Sequence, residues 1–86
     1  MKLFMCTRCN DVVSLIRSAN RACFCGASSG RYTDQLNAEI SGPCVPIGFA
    51  NRSLLTALLA QPESGDGAEF VAFVIPKLCS TITYKT

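Results

Sequence analysis

Apolar positions along this chain fall mostly into short runs of β-prone residues between polar turns, and one stretch alone has helical spacing. Lys2-Leu3-Phe4-Met5 and Asp11-Val12-Val13-Ser14-Leu15-Ile16 read as two strands, with the polar, turn-compatible Thr7-Arg8 and Asn10-Asp11 between them. Arg17-Ser18-Ala19-Asn20 turns the chain back, and Ala27-Ser28-Ser29-Gly30 is expected as a small flexible loop. Arg31-Tyr32-Thr33 and Asn37-Ala38-Glu39-Ile40-Ser41 flank Asp34-Gln35-Leu36 as the arms of a hairpin. Gly42-Pro43 breaks the second arm. Cys44-Val45-Pro46-Ile47-Gly48-Phe49 follows as another short strand, in which Pro46 argues for an edge position.

The helical stretch is Ser53 to Gln61, which Asn51 or Ser53 can cap and Pro62 stops. Leu54, Leu55, Leu58 and Leu59 share one face of it, so that face is expected to pack on the sheet. After a polar, glycine-containing loop, Glu69 to Ile75 is a β-prone run, and Leu78 to Tyr84 forms a last strand beyond Pro76. On the first of these strands Phe70, Ala72 and Val74 point one way and Val71, Phe73 and Ile75 the other. A strand apolar on both faces is covered on both, either inside the monomer or by another molecule. Phe70, Phe73 and Ile75 are therefore the candidate interface residues.

Four cysteines change this picture from a generic β-rich domain to a metal-stabilised one. Cys6-Thr7-Arg8-Cys9 and Cys23-Phe24-Cys25-Gly26 have the spacing of two knuckles that close one tetrahedral site. Zinc prefers that geometry in structural sites, with each sulfur about 2.3 Å from the metal. Gly26 suits a tight turn with positive φ after the second pair. Four thiolates fill the shell, and the chain has no histidine, whereas a catalytic zinc keeps one position open and usually has histidine among its ligands. The expected role is structural Zn2+ on Cys6, Cys9, Cys23 and Cys25, with iron as the other metal that suits thiolates.

Size makes such a site useful. Eighty-six residues form one domain, and a chain this short buries only about 60–65% of its unfolded surface. A metal is one of the staples that small domains use. Six cysteines also raise a disulfide framework. Against it, Met1-Lys2-Leu3-Phe4-Met5 runs straight into Cys6, Arg8 and Asp11, so the amino terminus lacks the apolar run and cleavage site of a secretory leader. No stretch approaches a membrane span of roughly 20 apolar residues. The expected location is the cytoplasm, or the host cytoplasm for a phage-encoded chain, where thiols stay reduced.

The remaining chemistry is sparse. Cys44 and Cys79 lie in apolar runs and read as small buried hydrophobes, since no histidine can activate them. Ser28-Ser29-Gly30-Arg31 resembles an anion nest, and Asn51-Arg52-Ser53 opens a helix whose free amides attract negative charge. An ordinary loop and an ordinary helix cap are the simpler readings of both. Residues 1–31 carry five bases against one acid, and residues 32–86 carry three bases against five acids. Four thiolates and one zinc bring the whole close to neutral, which lowers a nucleic-acid reading built on Arg8, Arg17, Arg21, Ser29, Arg31 and Arg52. The six carboxylates are scattered and form no acid–base pair.

Leu3-Phe4 before Cys6-x2-Cys9, Asp11-Val12-Val13, Cys23-x-Cys25-Gly26, Ser29-Gly30-Arg31-Tyr32, Gly42-Pro43-Cys44 and Ile47-Gly48-Phe49-Ala50-Asn51 together resemble a group of small, uncharacterised bacterial and phage zinc-ribbon proteins. The resemblance covers roughly residues 3–60 and implies the same four ligands, but brings no activity with it. The reading is an α+β fold: a zinc ribbon, about residues 1–31, built into a small, mostly antiparallel β domain with one short helix over the rest of residues 1–86. The expected function is a non-enzymatic interaction module, a phage or accessory regulator that docks on a larger protein or on itself. The alternative is a nucleic-acid or nucleotide-phosphate binder.

Overall fold

The computed structural model describes residues 1–85. Among them eight strands form two four-stranded sheets, accompanied by one helix. The strands are β1 (Lys2–Cys6), β2 (Val12–Ser14), β3 (Arg21–Ala22), β4 (Ser29–Tyr32), β5 (Ala38–Ser41), β6 (Cys44–Phe49), β7 (Ala72–Val74) and β8 (Ile82–Lys85), with α1 (Asn51–Leu59) between β6 and β7. One sheet has the order β2-β1-β6-β7 and the other β3-β4-β5-β8. All neighbours are antiparallel except β5 and β8, which run parallel. This is the small α+β, mostly antiparallel domain that the strand pattern predicts.

Both sheets feed one core. Phe4, Cys6 and Val13 of the first sheet and Leu15 just beyond β2 meet Ala38, Ile40 and Ile82 of the second, with Cys23 and Ile75. Phe4 and Cys6 are two apart on β1 and so share a face, and both are fully buried. The segment after β2 stitches the sheets together: the Leu15 amide donates to Lys2 O at 3.2 Å, and the Tyr32 amide of β4 donates to Ile16 O at 3.0 Å. Tyr32 completes the seam by accepting the Lys2 amide on its hydroxyl at 2.8 Å.

The hairpin from β4 to β5 turns where the sequence places it, and Asp34 organises the turn. Its Oδ1 accepts the Leu36 and Asn37 amides, both at 2.7 Å, and its Oδ2 accepts Asn37 Nδ2 at 2.8 Å. The Asn37 side chain, then the Asn37 and Leu36 amides, hold this carboxyl down at about 2. A depressed carboxylate contributes fully above its ordinary range near about 4, and the contribution is lost as pH falls through the folded value. Asp34→Ala at neutral pH is expected to speed amide hydrogen exchange at Leu36 and Asn37 without changing metal content. Unaltered exchange at both amides would show that the carboxylate does not hold the turn.

Beyond shorter last strands, β7 covering only Ala72–Val74 and β8 only Ile82–Lys85, and a helix that ends at Leu59, four features depart from the sequence reading. Pro46 is not on an edge strand, because β6 lies between β1 and β7. It sits where the β7 ladder ends: Pro46 O accepts the Ile75 amide at 3.0 Å, and the bond that a residue with an N–H would return is the one given up. Ser29 and Gly30 belong to β4 rather than to a loop. The helix starts two residues earlier than expected, at Asn51 behind Ala50, with no side-chain cap. Both expected caps are engaged elsewhere: Asn51 Oδ1 accepts the Met1 amino group at 2.7 Å, and Ser53 Oγ accepts the Val71 amide at 2.7 Å.

The fourth departure is the largest. No residue of α1 is buried, so its leucine face does not pack on a sheet. β7 is likewise exposed along its length, and Ile75, just beyond it, is the buried end of that run. Helical spacing establishes that a face is apolar, but a cover needs a second element within reach. The chain from Gln61 to Phe70 stays exposed and brings none. What ties the helix down is local: the Ser53 bond to Val71 and an edge-to-face contact of Phe49 with Phe70 at 5.0 Å.

Candidate metal centre

The first knuckle grows out of β1. Cys6 is the last residue of that strand, and Cys9 follows a tight turn closed by the Asn10 amide on Cys6 O at 2.8 Å and the Cys6 amide on Asp11 O at 2.9 Å. Asn10 adopts φ of 62°, which asparagine tolerates better than most side chains. Gly26 does the same after Cys25 in the second knuckle, at φ of 78°. The two knuckles are thus alike: each pair of cysteines is followed at once by a left-handed residue. The sequence signals this with glycine in the second and only with a permissive asparagine in the first.

The second knuckle is fastened at both ends. Gly26 donates to Cys23 O at 3.0 Å and Cys23 to Ser28 O at 2.9 Å. Asp11, from the first knuckle, accepts the Phe24 amide on Oδ2 at 2.9 Å, which links the two turns.

Cys6, Cys9, Cys23 and Cys25 converge, with all four sulfurs within 4.8 Å of one another. Two edges of the cluster measure 3.8 Å (Cys6–Cys25) and 3.6 Å (Cys23–Cys25). A tetrahedron with metal–sulfur bonds of about 2.3 Å has edges of about 3.8 Å, so the cluster has the size a metal requires. All six cysteines are free thiols, and none is paired in a disulfide. Cys6 and Cys23 are buried, Cys9 is half-buried and Cys25 is exposed, so the site lies at the margin of the core with one corner toward solvent.

The surroundings favour thiolates. The Arg8 amide donates to Cys6 Sγ and the Ser28 amide to Cys23 Sγ, each at 3.4 Å. Ser28 is buried, and its hydroxyl finds no hydrogen-bond partner. It lies close enough to the Cys6 and Cys44 thiols to favour their ionised forms. A buried hydroxyl without a partner is costly. The Ser28 hydroxyl is the leading cause that brings the Cys6 thiol down to about 6, against burial and with the Cys9 and Arg8 amides. Burial raises Cys23, but the Ser28 amide and Cys25 outweigh it and leave the thiol lowered. Cys25 is helped by the Ala27 amide, yet burial and the three neighbouring sulfurs push it up to about 11. Crowded thiols that cannot all ionise unaided are what a divalent cation stabilises.

The other sequence candidates are dispersed. All five arginines, Arg8, Arg17, Arg21, Arg31 and Arg52, are exposed. Arg21 is occupied: its Nη1 donates to Ser14 O at 3.0 Å and Ser14 Oγ at 2.8 Å. Ser29 Oγ lies 3.1 Å from Ser41 Oγ and, with Arg31, Glu39 and Lys85, lines a small polar cavity of about 200 Å³. Gly30 is buried within β4, so the stretch from Ser28 to Arg31 does not form the exposed nest the sequence offered. Of the candidate interface residues, Phe70 is 37% and Phe73 51% exposed, whereas Ile75 is core.

Two features had no clear trace in the sequence. Ser28 is one of several serines, and nothing marks it as the hydroxyl behind a ligand. Cys44 packs against the buried core, as its apolar run predicts, but that this core holds Cys6 was not marked in the sequence. No helix among the described residues is long and apolar enough to cross a membrane. Comparison with protein-family models, with curated proteins and with solved structures found no match to this chain, so the cysteine cluster itself carries the assignment of a metal-binding domain.

Proposed function

We propose that this chain is a non-enzymatic interaction module, in which structural zinc on Cys6, Cys9, Cys23 and Cys25 holds the fold and the face built from α1 and β7 docks on a protein. The observation that carries the reading is that face. Leu55, Leu58 and Leu59 of α1 and Val71, Phe73 and Val74 along β7 are between 51% and 80% exposed, and extensive exposed apolar surface marks interaction sites. The total accessible surface is 6024 Å², against about 4,900 Å² expected for a monomer of this mass. The excess of roughly 1,100 Å² exceeds the ~800 Å² that one partner contributes to a standard interface.

The chemistry of the partner follows from the rim. A cavity of about 510 Å³ opens between the helix and the following loop, lined among others by Leu54, Leu58, Pro62, Glu63 and Phe70. The loop carries Glu63, Asp66 and Glu69, and the apolar face itself only Arg52. An apolar segment flanked by basic residues is therefore the occupant that fits. The four thiolates leave no open metal position for chemistry, which supports a non-enzymatic role.

The test begins with capture on immobilised wild-type and Leu58→Asp protein, followed by reconstitution of the binary complex with the captured protein. Leu58 is 63% exposed, so the charge leaves fold and metal content intact. Binding is expected to weaken by about 100-fold or more, as for loss of an interface anchor. A reconstituted complex indifferent to Leu58→Asp and Phe73→Asp would refute the docking face. A concentration-dependent dimer of the pure chain, abolished by Leu58→Asp, would replace the basic-flanked partner with a second copy.

A further inference from the structure

Cys44 stands outside the quartet in sequence, but the fold sets it directly opposite one of the ligands. In the ladder between β1 and β6 its partner is Cys6. The Thr7 amide donates to Pro43 O at 2.8 Å. A bond that joins the residue after Cys6 to the residue before Cys44 marks the two cysteines as a non-hydrogen-bonded pair. In such pairs the side chains stand on one face and the Cα atoms lie about 4.5 Å apart, within the roughly 4.4–6.8 Å that a disulfide spans. Cys44 also packs against the buried cluster that contains Cys6. Cys6 is fully enclosed, whereas Cys44 is half-buried, with only a long contact of its Sγ to Ser41 O at 3.5 Å.

We propose that Cys6 and Cys44 form an oxidation site, at which a peroxide joins the two across the ladder and withdraws Cys6 from the metal. Cys44 is the more accessible of the two and reacts first, through the small thiolate fraction that burial leaves it by raising its thiol. Its sulfur attacks the peroxide, an S–O bond forms as the O–O bond breaks, and one water leaves for hydrogen peroxide, giving a sulfenic acid. The Cys6 sulfur then attacks the Cys44 sulfur. The S–S bond forms, the S–O bond breaks, and the departing hydroxide takes up a proton as a second water. Two sulfurs lose two electrons and the peroxide gains them. Cys9, Cys23 and Cys25 remain as three thiolates, too few for a closed four-coordinate structural site. The disulfide rests on strand register alone, and its effect on the metal rests on the four-cysteine site, so the two are read separately.

The experiment treats the zinc-loaded chain with hydrogen peroxide, maps disulfides by mass spectrometry of non-reduced peptides, and follows zinc release with a chromogenic chelator. A Cys6–Cys44 linkage is expected to accumulate in step with release, and thiol reductant with added zinc should reverse both. Cys44→Ser and Cys44→Ala should each slow release by about tenfold or more, while Cys79→Ser matches wild type. Linkages confined to Cys6, Cys9, Cys23 and Cys25, or release at the wild-type rate in both Cys44 variants, would overturn the proposal. A variant that fails to fold leaves the peptide map of the wild-type chain to decide: a Cys6–Cys44 linkage upholds the site and its absence refutes it.

Discussion

Replacing Cys6 with serine is expected to cost the domain its metal and, with it, its fold. Structural zinc contributes about 10–16 kcal/mol in small metal-folded domains, whereas the net stability of a native domain is only about 5–15 kcal/mol. Cys6 is the severest of the four to lose. It is fully buried, belongs to the common core and receives the Arg8 amide on its sulfur. A serine there would leave a buried hydroxyl beside the orphaned one of Ser28. Elemental analysis should find about one zinc per chain in the wild type and none in Cys6→Ser. Far-UV circular dichroism should find the variant largely unfolded, and a chelator should do the same to the wild type. A metal-free Cys6→Ser chain with the native spectrum would remove the structural-metal reading.

Gly42→Ala should be nearly as damaging, though Gly42 is no ligand. Gly42 joins β5 to β6 with φ of 89°, a conformation that a side chain strains. An added methyl would also run into the Ala27 carbonyl oxygen and come within 2.8 Å of Ser28 Cα. Both obstacles are backbone and cannot swing away. The Gly42 turn therefore presses on the loop that follows Cys25 and positions Ser28 behind Cys6. The expected loss is about 3 kcal/mol or more, with weaker zinc retention. Gly65→Ala is the control, because Gly65 has φ of 99° but open space around its Cα. It should cost only about 1 kcal/mol. Equal losses for the two in denaturant melts of the zinc-bound protein would show that strain alone acts at Gly42 and that the contact with the knuckle loop is immaterial.

What was legible in the sequence was local. Cysteine spacing picked out the four cysteines that cluster, because a knuckle is made by residues a few positions apart. Alternation and turn residues gave β1, β2, β6 and the hairpin around Asp34 for the same reason. The parallel pairing of β5 with β8 was not readable, since its registers, Ala38 with Ile82 among them, join segments that no short pattern connects. Pro46 misled because the rule that excludes proline from inner strands assumes that the ladder continues past it, and here β7 stops. The leucines of α1 misled differently: periodicity reports what a helix could bury, and burial depends on a neighbour. At the metal site, the ligands could be read, but the Ser28 hydroxyl and the opposition of Cys44 to Cys6 depend on strand register across about forty residues.

The ladder that sets Cys44 against Cys6 also fixes an order of assembly. All four clustered cysteines are present once residue 25 has been made, and the knuckles close through bonds of short sequence separation. β1 must wait for β6, and β5 for β8, so each sheet is completed by a strand that comes late in the chain. Short loops close at lower entropic cost than long ones, and distant strand pairings are the slow events in folding. A chain emerging amino terminus first can therefore be charged with metal while its sheets are still half built, and the later strands fold onto a clasp already fastened.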